Sequence, residues 1–122
     1  IAGCREIDGA AVNLKLFWDG QIVAMASGST NSLPPPVSDL RLGSMEYATS
    51  DGLGGYLDEV RVSSTLRYVG AFTPERRFIA DARTAVLLHF DSVTSRFVDS
   101  SMNALSGSLL GTASGANVCP AP

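Results

Sequence analysis

Residues 12–18 alternate with a period of two, with Val12, Leu14, Leu16 and Trp18 on one side and Asn13, Lys15 and Phe17 on the other, and Asp19-Gly20 follows directly. Successive side chains of an extended chain point to opposite faces, so this is the pattern of a strand. Asp-Gly tolerates the positive φ angles that a tight hairpin turn demands. A second strand over residues 21–26 therefore runs back beside the first.

The rest of the chain supplies strands and turns. Residues 27–38 are rich in Ser, Gly, Asn and Pro, and Pro34-Pro35-Pro36 lacks amide donors, which suits an exposed loop or sheet edge. Residues 40–44 read as a short strand, and residues 48–55, with Gly52, Gly54 and Gly55, as a turned loop. Residues 56–63 read as a clear strand, with Tyr56, Asp58, Val60 and Val62 on one face unless a bulge intervenes. Residues 65–74 either turn through a short helix or wrap the sheet edge, and Pro74 is placed to start a helical turn. Residues 85–90 form an apolar run suited to a buried strand, and residues 99–115 to one or two short strands between turns. Short strands at turn-punctuated spacing with no long amphipathic helix predict an all-β, antiparallel sandwich or jelly roll.

Composition sets bounds on partners. Hydrophobic residues make up 45% and charged residues 17% of 122 residues, a balance that folds and suffices for one core. Nine Lys plus Arg against twelve Asp plus Glu give a net charge of -3, and Lys15 is the one lysine, so no basic surface for nucleic acid is expected. Arg76-Arg77 reads as a solvated pair. No apolar run approaches the roughly 20 residues of a membrane span. Residues 1–8 have neither the basic start nor the apolar centre of a signal peptide, so secretion would rest on a signal removed or lying upstream. Cys4 and Cys119 stand near the two ends; a disulfide between them would close nearly the whole chain, worth about 4–5 kcal/mol in the loop-closure model, and is preferred to two free thiols. Zinc lacks a second ligand pair.

Two phrases carry a family resemblance. The stretch from Val12 through Trp18-Asp19-Gly20 to Ala24 resembles the hairpin of laminin-G-like, concanavalin A-like jelly rolls, and Gly54-Gly55-Tyr56-Leu57-Asp58-Glu59-Val60-Arg61-Val62-Ser63 is similar to the GxIDEVRIS strand that follows it there. Arg67-Tyr68 through Phe72-Thr73-Pro74 resembles a segment closing such repeats in bacterial and phage surface proteins. Asp81 through Leu87-Leu88-His89-Phe90-Asp91, with Asp99-Ser100-Ser101 beyond, looks like the family's opening strand. The order implies that residues 1–78 form the C-terminal part of one jelly roll. Residues 79–122 then either complete that sandwich or begin another repeat. The central strands of the family have no match, so the sandwich is expected to be incomplete or completed by another chain.

Each candidate for chemistry has a plainer competitor. Asp58 and Glu59 are adjacent on a strand and point to opposite faces, which excludes a glycosidase pair; the resemblance implies that Asp58 is structural, meeting backbone donors in a buried turn. His89 is the single histidine, with no metal partner or triad spacing, and reads as a strand residue. Asp19, Asp39, Asp51, Asp81, Asp91 and Asp99 suit turns; Asp91 with Asp99 is the candidate calcium site, since related jelly rolls bind that ion. Trp18, Tyr47, Tyr56 and Tyr68 are candidates for stacking on a glycan, against the alternative of core packing. Residues 52–55 lack the Lys-Ser/Thr of a phosphate loop. The expected function is a non-catalytic extracellular adhesion or carbohydrate-binding module, whose partners are a glycan or a surface protein. The alternative is a structural repeat that builds a surface fibre, appendage or virion through contacts between chains.

Overall fold

The computed structural model describes residues 1–29, 39–43, 53–91, 96–105 and 107–108. Among these the regular elements are strands alone, and every pairing is antiparallel: β1 (Ala2–Asp8), β2 (Ala11–Trp18), β3 (Gln21–Ser29), β4 (Val60–Ser63), β5 (Thr84–Leu88), β6 (Arg96–Phe97) and β7 (Gly107–Ser108). The protein is all-β, as its pattern predicts. It divides into two compact units, Ile1–Val37 with Thr65–Arg76, and Ser38–Ser64 with Arg77–Pro122.

In the first unit β1, β2 and β3 form a meander in that order. The predicted hairpin is present, with Asp19 at φ 48° and Gly20 at φ 74° making its turn, and β3 continues to Ser29, through residues expected to lie beyond the strand. The addition is β1, joined to β2 through a turn in which Gly9 has φ 57°. Leu16 lies opposite Ala24 but Phe17 opposite Ile22, so Val23 is an extra residue and β3 is bulged.

The two faces of β2 are covered unequally. Phe17 is fully buried, whereas Leu14, Leu16 and Trp18 are 48%, 45% and 63% exposed; of the face richer in apolar residues only Val12 is buried. The reason is the segment 65–76, which contains no helix and covers the Phe17 side. Tyr68 and Phe72 stack face to face with centroids 3.6 Å apart, and both meet the Phe17 ring edge-on, at 6.2 and 5.4 Å. Lys15, on the same side, donates from Nζ to the Val69 carbonyl at 3.0 Å and lies 3.9 Å from Glu6.

In the second unit β4 pairs with β5 and β6 with β7. Leu87 and Leu88 are buried with Thr84 beside them, as expected of the apolar run. The predicted strand 56–63 starts only at Val60, because Glu59 has φ 51° and turns the chain out of the extended region. Residues 40–43 are not a strand; Gly43, at φ 82°, makes a bend whose carbonyl accepts the Leu53 amide at 2.6 Å. Phe90, at φ 55°, ends the extended run after β5 and packs edge-on against Phe97 at 5.1 Å.

One contact in the first unit admits glycine alone. The Phe72 amide donates to the Gly20 carbonyl at 2.9 Å, and a Cβ on Gly20 would lie 1.8 Å from the Phe72 carbonyl oxygen. Gly20→Ala therefore strains the turn and displaces segment 65–76, with an expected cost of about 2–4 kcal/mol in urea unfolding. Gly3→Ala, where nothing lies within 4 Å of the added carbon, should change stability by no more than about 0.5 kcal/mol.

Candidate functional site

The polar groups of the second unit gather around two carboxylates. Asp99 is 5% exposed and accepts hydrogen bonds from the amides of Leu87 (2.8 Å), Ser101 (2.8 Å) and Leu105 (2.9 Å) and from the Ser101 hydroxyl (2.7 Å). Asn103 Nδ2 in turn donates to the Ala85 carbonyl at 2.9 Å, and the Ser100 amide to that of Leu87. The segment after β6 is thereby stitched along β5. Burial pushes the Asp99 carboxyl up, but the bonds from the Leu87 amide, the Ser101 hydroxyl and amide and the Leu105 amide outweigh it and hold the group at about 2.

Glu59 is the second centre, with its side chain 10% exposed. Its Oε2 accepts the Phe78 amide at 2.8 Å, and its Oε1 lies 2.6 Å from His89 Nδ1 and 3.5 Å from Arg77 Nη1. Because the carboxylate accepts from its other neighbours, Nδ1 is the protonated nitrogen that donates to it. Arg61 places its guanidinium 4.2 Å from the centre of the Phe78 ring, bracing the residue whose amide Glu59 holds. Arg77 extends further, donating from Nη2 to Asp91 Oδ2 at 2.8 Å. That bond lowers the Asp91 carboxyl below its ordinary value and raises the guanidinium above its own.

Beside this chain of charges lies a cleft of about 230 Å³ lined by Arg77, His89, Phe90, Asp91, Phe97, Val98 and Ser100. Glu59 and His89 are 30 residues apart in sequence and meet only through the β4–β5 pairing. Read singly, neither suggested the other. Phe90 has a left-handed φ, as has Glu59, although neither is glycine.

The sequence candidates fall as follows. Trp18 ends β2 in the first unit, and Tyr56, 66% exposed, precedes β4 in the second. Tyr68 is half-buried and spends one ring face on Phe72, so it packs rather than presents a platform. Tyr47 and Cys119 lie outside the described residues. Cys4 is a free, half-buried thiol on β1, so the described residues contain no disulfide. Asp58 is exposed; the buried carboxylates meeting amides are Glu59 and Asp99. Of the calcium pair, Asp91 is engaged by Arg77 and Asp99 by N–H and O–H donors, the opposite of a cation's needs. Among the described residues no three His, Cys, Asp or Glu side chains come together to hold a metal, and no helix is long and apolar enough to cross a membrane. Arg77, read as solvated, is 60% exposed yet bridges two carboxylates.

Comparison with protein-family models, curated proteins and solved structures returns no match.

The Asp99 carboxyl sits below its ordinary value of 3.8 in the folded chain, so the unfolded chain takes up the proton first as pH falls. Its stabilisation, about 2 kcal/mol, is complete above about pH 5 and lost as pH drops from about 4 to 2. In urea unfolding at pH 7, Asp99→Asn should cost about 2–4 kcal/mol, because the introduced amide donor faces N–H groups. The gap between wild type and variant should narrow toward pH 2.

Proposed function

We propose that this chain is a non-catalytic structural module of an extracellular or surface-exposed protein, and that it associates with a second copy of itself through the free edge of β3. The observation that carries this reading is the character of β3. All nine of its residues are exposed, none is charged and none is proline. It stands at the margin of its sheet, with β2 its one partner among the described residues. Free edges of soluble proteins are ordinarily defended by charge, proline or shortness, because their amides and carbonyls invite another strand. The opposite margin, β1, is defended by Arg5, Glu6 and Asp8. Two uncharged β3 strands meet across a two-fold axis with no like-charge contact, extending the ladder between chains.

The finer fold we propose is a laminin-G-like jelly roll that is completed by another chain. It is supported by the two phrases that now fall on β2–β3 and on the approach to β4, and by the antiparallel pairing throughout the described strands. The extracellular setting rests on the same resemblance. A second reading, glycan binding, is favoured by Trp18, a residue 63% exposed beside the Asp19-Gly20 turn.

Sedimentation velocity across a concentration series should show monomer giving way to dimer by mass action. Val23→Lys, at a bulged position 57% exposed, should weaken the association at least about tenfold with the far-ultraviolet dichroism unchanged. A wild-type chain monomeric at every concentration, or a variant that associates equally well, contradicts the reading.

A further inference from the structure

We infer that the cleft beside His89 is a binding site for one uncharged sugar ring, presented as a terminal residue or a free glycoside. The inference stands independently of the β3 edge and uses residues of the second unit alone. The cleft has two kinds of lining residue. Phe90, Phe97 and Val98 bring apolar surface, suited to the C–H face of a pyranose, and Arg77, Asp91, His89 and Ser100 bring polar groups.

The charges decide the class of ligand. Arg77 already lies between Asp91 at 2.8 Å and Glu59 at 3.5 Å, so an added anion would meet two carboxylates. A cation would meet the guanidinium, and both carboxylates are already engaged. A neutral polyhydroxyl ligand avoids both penalties. The Arg77–Asp91 pair places a donor beside an acceptor, the arrangement two vicinal hydroxyls take up when one accepts and the next donates. Asp91 and Arg77 are 63% and 60% exposed, so their remaining hydrogen-bonding positions are open to solvent. His89 Nδ1 is committed to Glu59, which fixes the ring, and its other nitrogen has no hydrogen-bond partner among the described residues. Glu59 is thus a positioning residue for His89. At about 230 Å³ the cleft is smaller than the roughly 300 Å³ at which drug-sized sites begin, and it suits a single ring.

The test is a titration of the ¹⁵N-labelled full chain with methyl glycosides of glucose, galactose, mannose and N-acetylglucosamine, followed by amide chemical shifts. At least one glycoside should give saturable shifts confined to residues 89–91 and 97–100, with a Kd on the order of 1–10 mM as expected of one exposed ring. Asp91→Ala removes an exposed side chain and should weaken that binding about tenfold with the melting temperature unchanged. Glucuronate and calcium chloride should shift these amides no more than sodium chloride does. The inference is overturned if no glycoside gives saturable shifts up to about 100 mM, if Asp91→Ala binds equally well, or if glucuronate or calcium binds there more tightly. Shifts confined to Trp18 and its neighbours would also overturn it, while supporting glycan binding at the other unit.

Discussion

In the first unit the Phe72 carbonyl lies against Gly20 so closely that no Cβ has room there. This contact clamps segment 65–76 to the hairpin turn and so decides which face of the sheet is covered. Phe72 and Tyr68 then fall over Phe17, Lys15 reaches a main-chain carbonyl, and Leu14, Leu16 and Trp18 keep much of their surface in water. The unguarded β3 edge belongs to the same sheet. A turn of two residues thus separates the side of the meander that is packed from the side that remains open.

The second unit solves a different problem. Its fully or nearly fully buried apolar side chains among the described residues are Leu87 and Leu88, too few to fix several short strands and irregular segments. Two carboxylates take up the task. Asp99 gathers the amides of Leu87, Ser101 and Leu105, and Glu59 gathers the Phe78 amide with the imidazole of His89. Each is a buried charge compensated by several donors, the condition under which burial of a charge is tolerated. Leaving such a group half-satisfied would be costly. The order of residues 89–91 around the cleft follows from the bonds to His89 and Asp91 together with the Phe90–Phe97 ring contact.

The hairpin, the all-β class and the apolar run read over residues 85–90, whose first part falls in β5, were legible because each rests on local pattern: period two, Asp-Gly, and a short apolar stretch. Alternation defines two faces but does not say which one another segment will cover, and the richer face of β2 proved the more exposed one. The β1 strand was obscured because its alternation mixes Gly3, Arg5 and Ile7 on one side with Ala2, Cys4 and Glu6 on the other. The left-handed conformations of Glu59 and Phe90 carry no glycine or asparagine to announce them. Asp99 was legible as a turn residue through its bonds to Ser101, two positions on, but its bond to the Leu87 amide spans 12 residues. The Glu59–His89 contact depends on the β4–β5 register and is invisible to any local pattern.

Both functional readings concern surfaces that the fold leaves unsatisfied, and β3 is the larger of them: a strand of nine exposed residues with an open ladder and no charge. Natural sheets seldom leave such an edge unless another strand takes it. Amide hydrogen exchange, residue by residue at low and high protein concentration, tests this most directly. The account predicts that alternate amides of β3 slow markedly at high concentration while those of β1 keep their rates. Exchange in β3 that is independent of concentration, or slowing confined to β1, would contradict it.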